Sequence, residues 1–232
     1  MFQKNNSPQQ PVLLFLHVHK TGGTTLRSII NKQYPAEECL FLYDQEHDMS
    51  NGKYPPNKLE GIRCIYGHFH FGIHRFIPQP STYITMLRDP VERVVSLYYH
   101  VTQNRMDPIH EQVKNMSMLE FASANNREFN NSDLQTYLIS GVYPPDLERA
   151  KKNMQKHFSV VGITEMFDES LKLMQKKLGW HDISYTKINQ TANRLPLQSI
   201  EKKVIDQIVS RNTLDIQLYR YAQQLLKKQL QP

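Results

Sequence analysis

The sequence predicts an α/β fold: a central, mainly parallel sheet flanked by helices in three layers. Short apolar runs rich in strand formers, at residues 12–16, 62–66, 82–87 and 158–163, are separated by segments whose apolar residues recur at helical spacing. That alternation is the pattern of a parallel sheet with crossover helices. Two of the runs lead into glycine-bounded loops carrying Lys or His, and open α/β sheets gather ligands at the carboxyl ends of their strands.

Size and charge bound the answer further. At 232 residues the chain is long enough for one substantial core, and the segment 11–232 reads as a single domain behind a polar, disordered tail at 1–10. Lys and Arg number 28 against 22 Asp and Glu, a net charge of +6, which favours an anionic partner. The basic residues come as scattered pairs such as Lys151-Lys152 and Lys227-Lys228, the pattern of solvated helix faces, so nucleic acid is not the expected partner. Two cysteines, Cys39 and Cys64, make no disulfide framework and match no metal motif, and reduced buried thiols are expected. No run approaches the ~18 apolar residues of a membrane helix, and the N-terminus lacks the apolar stretch of a signal peptide. A cytoplasmic location is the corresponding expectation. The oligomeric state is not legible.

The elements follow in order. Residues 12–16 form the first strand, and Leu26, Ile29 and Ile30 mark the buried stripe of the first helix. Between them, Lys20-Thr21-Gly22-Gly23-Thr24-Thr25 combines glycines that admit a close-approaching ligand, a cation, hydroxyl donors and the amide-rich start of a helix. That chemistry suits a phosphate or sulfate. It is not a Walker loop, because Lys20 precedes the glycines. Residues 40–43 suit a short strand and 44–57 a loop. Residues 62–66 run into Gly67-His68-Phe69-His70-Phe71-Gly72, a histidine-bearing strand end. The strand 82–87 ends at Arg88, and Asp89-Pro90-Val91-Glu92 then starts a helix with an N-cap, Pro at the first position and Glu at the third. That helix runs to about residue 103, with Ser96 and His100 on one face. Short helices are expected at 117–124, 133–139 and 145–156. A strand at 158–163 precedes a helix through 178, Trp180 reads as a packing residue, and two final helices break near Asn212-Thr213 with Leu214, Leu218, Tyr221, Leu225 and Leu226 as the buried stripe.

The order His17-x-x-Lys20-Thr21-Gly22-Gly23-Thr24-Thr25 resembles the 5′-phosphosulfate loop of sulfotransferases that use 3′-phosphoadenosine 5′-phosphosulfate (PAPS) as donor. It looks most like the branch containing the heparan sulfate 2-O- and 6-O-sulfotransferases and their bacterial relatives. Arg88-Asp89-Pro90-x-x-Arg93-x-x-Ser96 matches the family's second motif, and Gly67-His68 a third. The resemblance implies a P-loop-like fold and a donor site in which residues 20–25 hold the phosphosulfate and Arg88 and Ser96 hold the 3′-phosphate. It implies catalysis by His68 as general base, with His70, His17 and His19 as rivals, and by Lys20 on the leaving oxygen. Residues 187–194 resemble the polar loop that covers the donor. The acceptor is expected to be a hydroxyl, most simply on a carbohydrate, and the scheme calls for no metal. Animal members of the branch are Golgi proteins anchored by an N-terminal helix, whereas this sequence reads as a soluble relative or an excised catalytic domain. A P-loop nucleotide kinase shares the strand, loop and helix but places its Lys after the glycines. A non-catalytic glycan- or nucleotide-binding protein is the other alternative.

Overall fold

A computed structural model of the chain describes residues 11–43, 59–186 and 194–231. The expected tail at 1–10, the loop at 44–57 and the donor-covering loop at 187–193 therefore lie outside the described residues. Five parallel strands, β1 (Val12–Leu16), β2 (Cys39–Leu42), β3 (Cys64–Gly67), β4 (Ser81–Leu87) and β5 (Phe158–Ile163), lie in the order β2-β3-β1-β4-β5. The predicted strands are all present, with ends moved by one or two residues. Every residue of β1 is buried, as a strand covered on both faces must be, which is why its sequence is a continuous apolar run. The chain lays β3 on one side of β1 and β4 on the other. The order of strands reverses at β1, so a crevice opens beyond its carboxyl end, between the loops that follow it and its neighbours.

Helix α1 (Gly23–Gln33) buries Leu26, Ile29 and Ile30. Helix α2 (Pro90–Gln103) starts as its sequence dictates: the Asp89 carboxylate accepts from the amides of Val91 and Glu92, each at 3.0 Å, and Pro90 stands in the first turn. Beyond it come α3 (His110–Val113), α4 (Met118–Ser123), α5 (Leu134–Ser140), α6 (Leu147–His157), α7 (Phe167–Leu178), α8 (Lys202–Arg211) and α9 (Thr213–Leu230). Of these α3 is unannounced in the sequence. In α9 the buried residues are Asp215, Leu218, Tyr219, Ala222 and Leu226; Leu214, Tyr221 and Leu225 are only half-buried. The expected stripe is thus rotated toward Tyr219, whose ring buries while its hydroxyl reaches Glu165 at 2.9 Å.

The main core joins the sheet to α1, α5, α6, α7 and α9, and Trp180 packs into it as expected. A second apolar cluster, built by Val94, Val95, Leu97, Phe121, Val204 and Ile208 among others, joins α2 to α3, α4 and α8. Cys39 and Cys64 are free and buried. Among the described residues no helix is long and apolar enough to cross a membrane.

Helices α5 and α9 cap one another. Asp215 accepts from the amides of Gln135 and Thr136, while Asp133 accepts from those of Leu214 and Asp215. Each helix thereby satisfies amides that its own first turn leaves without partners. Arg93 of α2 is fully buried beside this pair of carboxylates and not on a helix surface. Burial pushes the Asp215 carboxyl above its ordinary range, and the charge of Arg93 draws it back.

Candidate active site

The loop between β1 and α1 is shaped by three left-handed or small residues. Lys20 has φ 68° and Gly22 φ 82°. Gly22 stands at the N-cap of α1 and offers no side-chain cap, so the first amides of the helix are available to an anion. A Cβ at Gly23 would fall 1.9 Å from His17 Nε2, so the sequence needs glycine there for the helix to seat against that ring. The loop's carbonyls are tied down from the neighbouring strand ends. Arg88 Nη1 donates to the Lys20 carbonyl at 3.2 Å, and the Thr164 hydroxyl lies 2.8 Å from the Thr21 carbonyl and 3.0 Å from that of Leu87.

This loop, the end of β3 and the start of α2 border a cleft of about 780 Å³. Lys20, Gly22, Gly23, Thr24, Thr25, His68, Arg88 and Ser96 line it, so residues from three separate motifs converge on one space. Two of the expected residues stand apart from it. Thr21 is fully buried and its hydroxyl donates to the Val18 carbonyl at 2.8 Å. His70 is exposed, with its ring 4.6 Å from that of Tyr137. His70 does not join His68 in the cleft because β3 ends at Gly67; beyond it the Phe71 amide bonds to the Leu138 carbonyl and draws the chain toward α5.

His68 Nδ1 lies 2.7 Å from the His17 carbonyl. A carbonyl only accepts, so Nδ1 carries the proton and the neutral ring keeps its lone pair on Nε2. Burial holds the His68 pKa below the usual histidine value, and the bond to His17 restores part of the loss. The ring stacks on His19 at 3.6 Å and tilts against His17 at 4.6 Å. Burial and the proximity of His68 bring His19 down to about 3 and take His17 well below its ordinary value. His17 and His19 are thus held neutral beside the His68 ring.

On the other side of the cleft, burial and the nearby Arg88 charge lower Lys20 to about 8, which leaves it cationic at neutral pH. Arg88 donates to the Glu92 carboxylate at 2.8 Å, and Arg194 reaches the same carboxylate. The backbone of Arg88 is clamped by Gln135, which accepts from its amide and donates to its carbonyl, both at 3.0 Å. His100, Thr164, Phe167, Tyr185 and Arg194 also line the cleft. The sequence sets His100 on the face of Ser96 without giving it a role. Phe167 and Tyr185 meet edge to face at 5.0 Å, and Phe167 packs over Gly22; only spatial proximity marks these two.

A parallel sheet in this strand order, with Lys20, a neutral half-buried His68 and an uncapped helix start around one cleft beyond its central strand, has the sulfotransferase class of fold. The chain belongs to the galactose-3-O-sulfotransferase family, whose profile matches residues 2–231. It is 27% identical to the human galactose-3-O-sulfotransferase 3 over 92% of this chain and 56% of that protein. It is likewise 27% identical to the human heparan-sulfate 6-O-sulfotransferase 2, over 95% of this chain and 45% of that protein. The chain thus spans about half the length of the curated relatives it matches. A sulfotransferase structure from Alicyclobacillus acidocaldarius superimposes with a TM-score of 0.53 at 14% identity, covering 94% of this chain and 96% of that one, and shares its fold. The resemblance to the heparan sulfate branch therefore holds.

The expected cytoplasmic location does not. The relatives matched are the animal galactose and heparan sulfate enzymes, secretory-pathway proteins of the Golgi membrane. Since the chain covers only about half of them, the absence of a long apolar helix among the described residues carries no location.

Proposed function

We propose that this chain is a PAPS-dependent sulfotransferase that transfers a sulfuryl group to a galactose hydroxyl, most simply the 3-hydroxyl that the family description names. The observation that carries the reading is His68: a histidine fixed as the Nδ1–H tautomer by a carbonyl, kept unprotonated by burial, and lining the same cleft as the loop at residues 20–25. What fits the donor is the meeting of Lys20 with the uncapped first amides of α1; Arg88 and Arg194 line the cleft as well, alongside Glu165, Asp168 and Glu169.

PAPS would supply the activated sulfuryl group, and the chain's own residues would do the rest. The amides of residues 22–25 and the Thr24 and Thr25 hydroxyls hold the 5′-phosphosulfate. Arg88, with its guanidinium fork, and Ser96 take the 3′-phosphate. The acceptor hydroxyl attacks sulfur in line and its proton passes to His68 Nε2. The bond from sulfur to the bridging oxygen breaks, and Lys20 stabilises the charge that collects on that oxygen. Position and charge account for the acceleration, as in phosphoryl transfer.

Calorimetry with 3′-phosphoadenosine 5′-phosphate (PAP) followed by transfer assays on a panel of β-galactosides tests the reading. Binding of PAP and sulfation of galactose support it. Absence of PAP binding overturns the donor assignment, and PAP binding with transfer only to other sugars overturns the acceptor.

A further inference from the structure

The described residues contain a second cleft, of about 680 Å³, that the reaction above does not use. It opens where α5 meets the segment 125–132 and the chain around Tyr143, within the size range of small-ligand pockets. A row of side chains runs to it from the strand end that carries the base. His70, two residues beyond His68, meets the Tyr137 ring at 4.6 Å, Tyr137 meets Tyr143 edge to face at 6.0 Å, and the Arg127 guanidinium lies 3.4 Å over the centre of Tyr143. The segment after His70 is tied to α5, where the Phe71 amide donates to the Leu138 carbonyl at 2.8 Å.

We propose that this second cleft is a subsite for the further sugar residues of a neutral oligosaccharide acceptor whose terminal galactose is held at His68; the proposal rests on the galactoside reading above. A pyranose offers an apolar C–H face and a rim of hydroxyls that both donate and accept. Tyr143 offers the matching surface, a large ring 56% exposed and braced by Arg127. Asn126 and Asn130 line the cleft with amides able to donate and accept around that rim, and Arg211 adds a buried Nε that lacks a partner. The formal charge also selects. Arg127 and Arg211 share the lining with Glu128 and Asp133, so the cleft has no formal excess of one sign with which to gather a polyanionic chain. A neutral galactose-terminated oligosaccharide fits this lining better than a heavily sulfated one.

The test compares methyl β-galactoside with a neutral galactose-terminated tetrasaccharide as acceptors for the wild type, Tyr143→Ala and Asn130→Gly. Asn130 has φ 52°, so glycine keeps the backbone and removes only the amide. Both variants should bind PAP and sulfate the single galactoside as the wild type does, while the preference for the tetrasaccharide in kcat/KM falls about tenfold for Tyr143→Ala. An unchanged preference, or an equal loss on both acceptors with PAP binding intact, overturns the subsite. If Tyr143→Ala does not fold, Asn130→Gly and Arg127→Gln carry the same comparison. If the wild type binds PAP but sulfates neither galactoside, the galactose reading fails by itself. Saturation-transfer NMR with the tetrasaccharide then decides the subsite: signal lost in Tyr143→Ala supports it, and no signal on the wild type overturns it.

Discussion

His68 and Lys20 line one cleft, each with its pKa lowered by burial, and the pH dependence of the enzyme follows from both. His68 must be unprotonated to accept a proton, and burial sets its pKa below 6.5, so kcat/KM should rise on an acidic limb whose midpoint lies below that value. Lys20 must be protonated to stabilise the leaving oxygen, and in the free enzyme it loses its proton near 8, so the profile should fall again around there. A rate that climbs steadily beyond pH 9 would remove Lys20 from the mechanism. His68→Ala should lose roughly 10²-fold or more in kcat, keep PAP affinity and abolish the acidic limb. His70→Ala, with its ring beside Tyr137, should leave that limb in place. Lys20→Ala should lower kcat by about 10²-fold as well, the size of removing one stabilising donor.

At the scale of elements, α5 does more than its sequence announces. Gln135 is fully buried and grips both backbone polar groups of Arg88. Arg88→Ala should weaken PAP by about 1.5 to 3 kcal/mol and leave adenosine 5′-phosphate little changed, as expected for a charged hydrogen bond to the 3′-phosphate. Gln135→Ala should reproduce part of that selective loss although the side chain touches no ligand, and calorimetry with the two nucleotides separates this from general destabilisation. The strands, α1 and the start of α2 were legible because their signals are local: an apolar run, a capping Asp89, a glycine pair. The part played by α5 was not, because it depends on contacts 47 residues away to Arg88 and 80 residues away to Asp215. The three motifs supply much of the cleft's lining and the 187–194 loop adds Arg194, while Phe167 and Tyr185 reach it through chain reversals that no local pattern encodes.

For the whole molecule, the charge of the fully buried Arg93 is offset chiefly by the fully buried Asp215 and next by the half-buried Asp133. Removing the Asp215 charge leaves Arg93 largely uncompensated, so Asp215→Asn should cost about 3–5 kcal/mol in denaturant unfolding; a loss below about 1 kcal/mol would mean that Arg93 is balanced elsewhere. Asp133, raised to about 6 mainly by burial, carries a further signature. An acid with a raised folded pKa favours the native state when protonated, so its contribution is fully present below pH 3.8 and fades as pH rises through 6. The reciprocal caps also bear on the order in which the molecule is made. The phosphate loop, the histidine and Arg88 have all been synthesised by residue 88, yet Asp215, which holds the start of α5 and through it Gln135, emerges more than a hundred residues later. A nascent chain can thus own Lys20, His68 and Arg88 before it can fix them in place, and maturation of the site waits until α9 has left the ribosome.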